Sequence, residues 1–260
     1  MILKLGGSVI TQKEKPLTAN LKAIERLSRE ISEAKVSYLI LIHGGGSFGH
    51  PLAKQYALKE GYKEKSQLVG FSKTRQAMDA LNKLVVDALM RQDIAAVGLQ
   101  PSAFVVTSSG RISSIEQQPL RKLLEIGLVP VLYGDAVFDF DLGFTILSGD
   151  QLAAHLAMQL GASRIILGVD VDGLYTSDPK SASSAKLIRH LTLHELRNMQ
   201  HEIEEAKVTD VTHGMLGKIL ELMSAVEKSI PALIVNAAKP NNIYKALKGE
   251  EVTGTTIVKG

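Results

Sequence analysis

The sequence predicts an α/β fold in which helices cover both faces of a mainly parallel sheet. Apolar segments of strand length alternate with amphipathic segments along all 260 residues, and strands that alternate with helices are typical of parallel sheets. Hydrophobic residues make up 45% of the chain, which is enough to bury a large core. We predict one domain over residues 1–260, composed of two lobes at 1–163 and 164–260.

The predicted strands are short apolar runs that end at glycine or polar residues. In chain order they cover residues 2–5, 38–42, 95–97, 103–106, 129–132, 144–147, 164–169, 232–236 and 255–258. Residues 111–140 are expected to form short strands and hairpins around Gly134-Asp135, with a further turn at residues 141–143.

The predicted helices are amphipathic segments with apolar residues three and four positions apart. They cover residues 19–34, 72–91, 150–160 and 215–228. Asp150 is the predicted N-cap of the third helix, and Gly161 follows its end. Residues 177–184 (SDPKSASS) are predicted to form a polar loop.

The composition excludes several classes of site. The chain has no cysteine, which excludes disulfides, thiolate metal ligands and cysteine nucleophiles. A formal net charge of +3 does not indicate a surface for nucleic acid. The apolar runs are shorter than the ~20 residues that span a bilayer, and the N-terminus has no signal-peptide pattern. We therefore expect a soluble, cytoplasmic protein that binds neither nucleic acid nor membranes.

Glycine-rich corners follow several of the predicted strands. They lie at residues 4–8 (KLGGS), 43–50 (HGGGSFGH), 147–150 (LSGD), 168–175 (GVDVDGLY) and 209–218 (TDVTHGMLGK). Glycine lets backbone N–H groups approach an anion closely, and ligands of open α/β sheets bind at the carboxyl ends of strands. The corners match neither the P-loop nor the dinucleotide fingerprint. They indicate an anion site, although a glycine pair after a strand is also a common tight turn.

These corners, taken together and in this order, resemble the motifs of the amino acid kinase family over nearly the whole chain. The resemblance implies a three-layer αβα sandwich with a mainly parallel central sheet, and ATP as the phosphoryl donor. Within the family, HGGGSFGHP with Tyr56 shortly after it resembles the branch that phosphorylates isopentenyl phosphate to isopentenyl diphosphate. The fosfomycin kinase branch is close to it. The resemblance also implies a homodimer, with the acceptor bound by lobe 1–163 and ATP by lobe 164–260.

The resemblance implies the catalytic residues Lys4, Lys13, His50, Asp150 and Lys218. Lys4 and Lys218 would meet the phosphates of ATP, and Asp150 would hold both lysines by ion pairing. Asp150 is not expected to act as a base, because a phosphate monoester is already ionised near neutral pH. Lys13 would contact the transferring phosphoryl group, with Lys15 as its rival. His50 would bind the phosphate of the acceptor.

The remaining implied site residues divide between acceptor and nucleotide. The acceptor would contact Gly44, His50, Gly149, Phe71, Met78 and Ile146. ATP would contact Lys4, Gly6, Gly7, Ser8, Gly45, Asp170, Asp172, Gly173, Tyr175, Gly214 and Lys218. The glycines would act through their N–H groups. The apolar tail of the acceptor would lie on a helix face formed by Phe71, Thr74, Met78 and Leu81, near Val137 and Ile146, although such a face is also typical of core.

Three features of the motifs qualify this assignment. His43 ends a buried strand and is expected to be structural. The sequence DVDG at 170–173 lacks the continuation of an EF-hand loop, and no acidic cluster predicts a dedicated metal site, so Mg²⁺ should arrive with the nucleotide. His213 stands where many relatives have glycine, so the backbone there need not follow the family closely.

Other functions remain open at this stage. A kinase of the same fold could act on fosfomycin or another small phosphate or phosphonate. A kinase for an amino acid derivative should have a site for an α-carboxylate and an amine, which the sequence does not show. A non-catalytic nucleotide sensor should have lost Lys4, Asp150 or Lys218, and all three are present.

Overall fold

The computed structural model describes the backbone of residues 1–177, 185–206 and 213–260, and the side chains of these ranges except 200–206 and 213–214. The predicted polar loop at 177–184 lies outside the described residues beyond its first residue. The segment 209–212, which opens the late glycine-rich motif, also lies outside them.

The described ranges contain strands and helices that alternate as the sequence predicts. The strands are β1 (Ile2–Leu5), β2 (Ile40–His43), β3 (Ala96–Gly98), β4 (Val105–Ser108), β5 (Arg111–Ile115), β6 (Val129–Tyr133), β7 (Asp135–Asp139), β8 (Gly143–Leu147), β9 (Ile165–Val169), β10 (Leu174–Tyr175), β11 (Leu187–Ile188), β12 (His190–Thr192), β13 (Ala232–Asn236) and β14 (Gly254–Val258). The helices are α1 (Gly7–Ile10), α2 (Leu21–Ala34), α3 (Gly46–Gln55), α4 (Ser66–Met90), α5 (Gln118–Glu125), α6 (Gly149–Leu160), α7 (Leu193–Ala206), α8 (His213–Glu227) and α9 (Asn242–Lys248).

Eight of the strands form one sheet, in the order β12-β14-β13-β9-β1-β2-β6-β3. The six strands from β13 to β3 are parallel to their neighbours, whereas β14 pairs antiparallel with β13. The prediction of a mainly parallel sheet is therefore confirmed. A second sheet has the order β5-β4-β7-β8. It is formed by residues 105–147, which include the region that was expected to form short strands and hairpins.

Helices cover both faces of the large sheet because side chains alternate along its strands. Ile2 of β1 packs in a core cluster with residues of α6 and α8, whereas Leu3 packs in a second cluster with residues of α2, α4 and α9. Lys4 continues the alternation, so its side chain points to the same face as Ile2. The predicted three-layer αβα sandwich is confirmed.

The two predicted lobes share the large sheet. The strands β1, β2, β6 and β3 come from the chain before residue 164, and β9, β13, β14 and β12 come from the chain after it. The two halves join where β1 pairs with β9, from Ile2 beside Ile165 to Leu5 beside Gly168. The ligand that each half binds stays a prediction.

Two local predictions around the glycine corners are wrong. The stretch after β2 is not an open corner, because α3 begins at Gly46 and carries His50 within it. The N-cap of α6 is not Asp150 but Ser148, whose side chain accepts a hydrogen bond from the N–H of Gln151 at 3.0 Å. Asp150 lies in the first turn of that helix, where a carboxylate interacts favourably with the helix dipole.

Candidate active site

A cleft of about 170 Å³ opens at the carboxyl ends of β1, β2 and β6. Glycines that follow these three strands form its floor. Its walls come from α3, α4, α6, α8 and the hairpin of β7 and β8. The residues that line it are Lys4, Gly7, Gly44, Gly45, Gly49, His50, Ala53, Thr74, Met78, Gly134, Asp135, Ile146, Leu147, Ser148, Gly149, Asp150 and Lys218. The cleft thus brings together residues from four of the five glycine-rich motifs and from both halves of the chain.

One carboxylate lies between two ammonium groups at the inner end of the cleft. Lys4 Nζ lies 2.7 Å from Asp150 Oδ1, and Lys218 Nζ lies 3.4 Å from Asp150 Oδ2. Lys4 and Asp150 are buried, with 3% and 8% of their side chains exposed, whereas 36% of the Lys218 side chain is exposed. The cluster carries a net positive charge in a largely desolvated place, which suits an anionic ligand.

Burial and the neighbouring charges determine the protonation of this cluster. Burial raises the pKa of Asp150, but Lys4 and Lys218 outweigh it and hold that pKa below its ordinary value. Burial lowers the pKa of Lys4, and the attraction of Asp150 only partly opposes this. A carboxylate with a lowered pKa is a poor proton acceptor, so the chemistry of Asp150 favours positioning of the two lysines over general-base catalysis.

The first two glycine corners pack directly against each other. A Cβ atom on Gly7 would lie 2.2 Å from the backbone N of Gly46, and one on Gly44 would lie 2.7 Å from the backbone N of Gly7. No side chain fits at this contact. The glycines are therefore required by the close approach of two backbone segments, independently of any ligand.

Two of the predicted anion donors already have backbone partners. The N–H of Gly6 donates to the carbonyl of Gly168 at 2.7 Å, and the N–H of Gly44 donates to the carbonyl of Leu5 at 2.9 Å. The expectation that these two amides donate to a phosphate is wrong for this conformation, because parallel-sheet geometry continues one residue past each strand. Gly44 and Gly149 still line the cleft as backbone surface.

The two histidines of HGGGSFGHP lie in different environments. His43 is fully buried, stacks on Tyr133 with ring centroids 5.4 Å apart, and lies 3.2 Å from Asn82 Nδ2 through its Nε2. Burial lowers its pKa to about 4, so it is a neutral structural residue, as predicted.

His50 is exposed on α3 at the edge of the cleft. Partial desolvation, Lys218 and Lys4 lower its pKa, so its imidazole is neutral near neutral pH.

The residues predicted to contact the acceptor tail do not all line the cleft. Met78 of α4 and Ile146 of β8 line the cleft, but Phe71 does not. Phe71 packs instead on Phe144, with ring centroids 5.4 Å apart, and on Phe138 at 5.7 Å. Leu81 and Val137, the other apolar candidates, are fully buried in the core. Phe71 supports the hairpin that forms a wall of the cleft and does not form the wall itself.

Two predicted site residues meet outside the cleft, at the carboxyl end of β9. Lys13 Nζ lies 2.8 Å from Asp170 Oδ2, with 58% of the Lys13 side chain exposed. Asp170 and Ser8 line a more open hollow of about 340 Å³. Desolvation raises the pKa of Asp170, but the hydrogen bond and charge of Lys13 and a hydrogen bond from Ser8 outweigh it and hold that pKa below its ordinary value. Lys15 is exposed in the same loop.

The last nucleotide candidates surround Asp172. Its Oδ1 lies 2.7 Å from Lys239 Nζ and 3.0 Å from Asn236 Nδ2. Burial and the charge of Asp172 raise the pKa of Tyr175. Gly173 packs against Thr255, because a Cβ there would lie 2.4 Å from Thr255 Oγ1. Gly214 lies in the first turn of α8, outside the residues whose side chains the structure describes.

Sequence reasoning missed Asp135 and Lys239. Asp135 is 2% exposed in the cleft, accepts the N–H groups of Ser102 and Ala136, and lies 3.8 Å from Arg75 Nε. Burial raises its pKa to about 6. Both missed residues follow the carboxyl end of a sheet strand, which is the same signal that identified the glycine corners. The interpretation of Gly134-Asp135 as a hairpin turn concealed it.

Among the residues that the structure describes, no group of three or more His, Asp or Glu side chains is arranged to hold a metal ion. None of the described helices combines the length and hydrophobicity needed to cross a membrane.

Comparisons with known proteins agree with this geometry. Residues 1–236 match the model of the amino acid kinase family. An isopentenyl phosphate kinase of Methanothermobacter thermautotrophicus is 44% identical over 99% of this chain and 98% of its own length. One of Methanocaldococcus jannaschii is 36% identical over 98% and 97%. A solved isopentenyl phosphate kinase structure superimposes with a TM-score of 0.87 at 42% identity and covers 99% of both chains.

Proposed function

Because the chain belongs to the amino acid kinase family, we propose that it transfers the γ-phosphoryl group of ATP to isopentenyl phosphate and so forms isopentenyl diphosphate. The observation that carries the proposal is the position of His50 in one cleft with the cluster of Lys4, Asp150 and Lys218. The identity of 44% to an isopentenyl phosphate kinase over the full chain supports this acceptor.

The reaction must bring two phosphate groups together, and the cleft supplies positive charge where they would meet. Phosphoryl transfer depends on in-line positioning and on neutralisation of the charge on the transferring group. Lys4 and Lys218 carry that charge, and Asp150 fixes both ammonium groups by ion pairing. The acceptor needs no base, because a phosphate monoester with a second pKa near 6 is ionised at neutral pH.

His50 would recognise the phosphate of the acceptor. A neutral imidazole donates one N–H to a phosphate oxygen without adding a second charge to a site that already holds two lysines. The lowered pKa of His50, which follows from desolvation and from Lys218 and Lys4, supports this form. Met78, Ile146 and Ala53 then offer an apolar surface to the isopentenyl tail.

ATP would extend from this cleft toward the residues that follow β9. We assign Asp170, Asp172 and Tyr175 to its nucleoside end. Ser8 is assigned to the phosphates, and so is Lys13 once its pairing with Asp170 is exchanged for the nucleotide. On this assignment residues 1–163 bind the acceptor and residues 164–260 bind the nucleoside of ATP, while Lys4, Ser8 and Lys13 of the first lobe also contact the phosphates of ATP. Mg²⁺ would be carried by the triphosphate and would neutralise part of its charge.

We also propose that the protein forms a homodimer. Light scattering after gel filtration measures the mass of the particle and tests this.

A coupled assay for ADP release tests the function directly. The acceptors are isopentenyl phosphate, dimethylallyl phosphate, fosfomycin and acetylglutamate, each with ATP in the presence of Mg²⁺ or of EDTA. We expect the highest kcat/KM with isopentenyl phosphate and no turnover in EDTA. The proposal would be refuted if the enzyme phosphorylated acetylglutamate but not isopentenyl phosphate. A preference for fosfomycin would assign the chain to the phosphonate branch.

A further inference from the structure

One wall of the acceptor cleft has a polar group that phosphoryl transfer does not use. Thr74 of α4 is 2% exposed and lines the cleft. Its Oγ1 has no hydrogen-bond partner among the described residues. Met78, one helical turn along α4, and Ile146 and Ala53, which line the same cleft, are apolar and offer this hydroxyl no partner.

Thr74 lies toward the tail of the acceptor rather than its phosphate. Met78 approaches the glycine corner, since Cβ atoms on Gly45 and Gly49 would lie 3.2 and 2.8 Å from its Sδ. Thr74, Met78 and Asn82 follow one another at four-residue intervals on α4, so they lie on the same helix face. Asn82 contacts His43 below the glycine corner, so Thr74 lies at the opposite end of this row. The tail of an acceptor whose phosphate meets His50 and Lys4 would therefore reach Thr74.

Asp135 is a second buried polar residue of the same cleft, but its carboxylate already has partners. It is 2% exposed at the start of β7, and the N–H groups of Ser102 and Ala136 bind its carboxylate. Burial raises its pKa to about 6, so above this pH the carboxylate accepts hydrogen bonds. The Asp135 side chain has no exposed surface, so the hydroxyl that complements a ligand is that of Thr74, which can both donate and accept a hydrogen bond.

We propose that Thr74 forms a polar subsite for the acceptor tail, and that the enzyme also phosphorylates short alkyl phosphates that carry a hydroxyl group on the tail. The proposal rests on the proposed function, because it takes the position of the phosphate from it. An isopentenyl tail contains only carbon and hydrogen and leaves the buried hydroxyl unpaired, whereas a hydroxylated tail supplies the missing partner.

The chemical step is the same for both acceptors. One oxygen of the acceptor phosphate bonds to the γ-phosphorus of ATP, and the bond from that phosphorus to the β–γ bridging oxygen breaks. ADP leaves with the electron pair. The tail hydroxyl forms hydrogen bonds only and neither gains nor loses a covalent bond. The subsite thus acts on acceptor selection and not on the transfer itself.

The test compares isopentenyl phosphate with 3-hydroxy-3-methylbutyl phosphate in the wild type, Thr74→Val and Thr74→Ser. We expect kcat/KM of the two acceptors to lie within about tenfold of each other in the wild type. Thr74→Val keeps the shape of the side chain and removes the hydroxyl. It should therefore lower kcat/KM for the hydroxylated acceptor by about tenfold or more relative to kcat/KM for isopentenyl phosphate. Thr74→Ser keeps the hydroxyl and should keep the wild-type ratio.

Thr145→Val is the matched control. Thr145 is also 2% exposed and neighbours Ile146, but its hydroxyl donates to the carbonyl of Lys59 at 3.4 Å and it does not line the cleft. In Thr145→Val the ratio of kcat/KM for the two acceptors should therefore equal that of the wild type. The inference is overturned if the wild type does not phosphorylate the hydroxylated acceptor, or if Thr74→Val leaves the ratio unchanged. Failure with isopentenyl phosphate itself would instead refute the proposed function.

Discussion

Lys4 and Asp150 form a buried ion pair, with 2.7 Å between Lys4 Nζ and Asp150 Oδ1, although one lies in the first strand and the other in the first turn of a helix in the middle of the chain. They meet because Lys4 points to the sheet face that α6 covers. Lys218 of α8 reaches the other oxygen of the same carboxylate at 3.4 Å. One carboxylate therefore organises two positive charges that come from opposite halves of the chain.

Lys4→Met should abolish most activity and reduce stability. The variant removes a buried ammonium group from the site of charge development, and we expect kcat/KM to fall by about 10²-fold or more. It also leaves Asp150 buried with only Lys218 as its counter-charge, which should lower the free energy of unfolding by roughly 3 kcal/mol. Enzyme assays and urea denaturation at pH 7.5 measure the two effects.

The double variant Lys4→Met/Asp150→Asn separates these effects. Removing the orphaned carboxylate should restore part of the stability but none of the activity. Lys83→Met is the control, because Lys83 is 76% exposed and pairs with Asp87 on the surface of α4. Activity of Lys4→Met within tenfold of the wild type would exclude Lys4 from the reaction.

Gly7→Ala and Gly217→Ala should have opposite effects on stability. A Cβ on Gly7 would lie 2.2 Å from the backbone N of Gly46, so the two glycine corners would have to separate, and both stability and activity should fall. Gly217 is exposed within α8 with no atom within 4 Å of a Cβ, so alanine there should stabilise by about 0.5–1 kcal/mol. Thermal melting of the two variants measures the difference.

Local sequence patterns predicted the sheet well because its strands are continuous apolar runs. β1 and β13 begin and end where expected, and the other predicted strands of the large sheet differ by one or two residues. Local patterns could not predict α3, since glycine and proline disfavour helices. Pro51 cannot bond to the carbonyl of Ser47, and the N–H of Leu17 donates to that carbonyl instead at 3.1 Å. This compensation comes from a distant segment.

The site was predictable where motifs carry it and not where tertiary packing decides. The family motifs led to Lys4, Asp150 and Lys218, which the fold brings together. Phe71 was wrongly assigned to the cleft because its partners Phe138 and Phe144 come from a hairpin that helix periodicity does not reveal. Asp135 was missed because Gly134-Asp135 is also the sequence of an ordinary turn, although its position after β6 and its burial both mark it as a site residue.

His50→Ala should reduce turnover strongly and leave ATP binding nearly unchanged. His50 lines the cleft and is proposed to bind the acceptor phosphate, so its loss should raise KM for isopentenyl phosphate and lower kcat, whereas Kd for ATP should stay within about twofold. His190→Ala is the control, because His190 is exposed on β12 at the far side of the sheet. Near-normal kinetics of His50→Ala would remove this histidine from acceptor recognition.

His43 should make folding stability depend on pH below neutrality. Burial lowers its pKa from 6.5 to about 4, so the unfolded chain binds a proton in this range while the folded protein does not. The contribution of neutral His43 to the free energy of unfolding is therefore complete above pH 6.5 and is lost as the pH falls toward 4, by roughly 3 kcal/mol.

Asp135 acts in the opposite direction, because its raised pKa of about 6 makes the folded protein bind the extra proton in this range. The two contributions partly cancel in the wild type, so the informative quantity is the difference between the wild type and His43→Gln in urea denaturation at pH 7.5 and pH 4.5. Asp135 is present in both proteins and drops out of this difference. We expect the wild type to lose more stability than His43→Gln on acidification, and parallel pH profiles would show that His43 can be protonated within the folded protein.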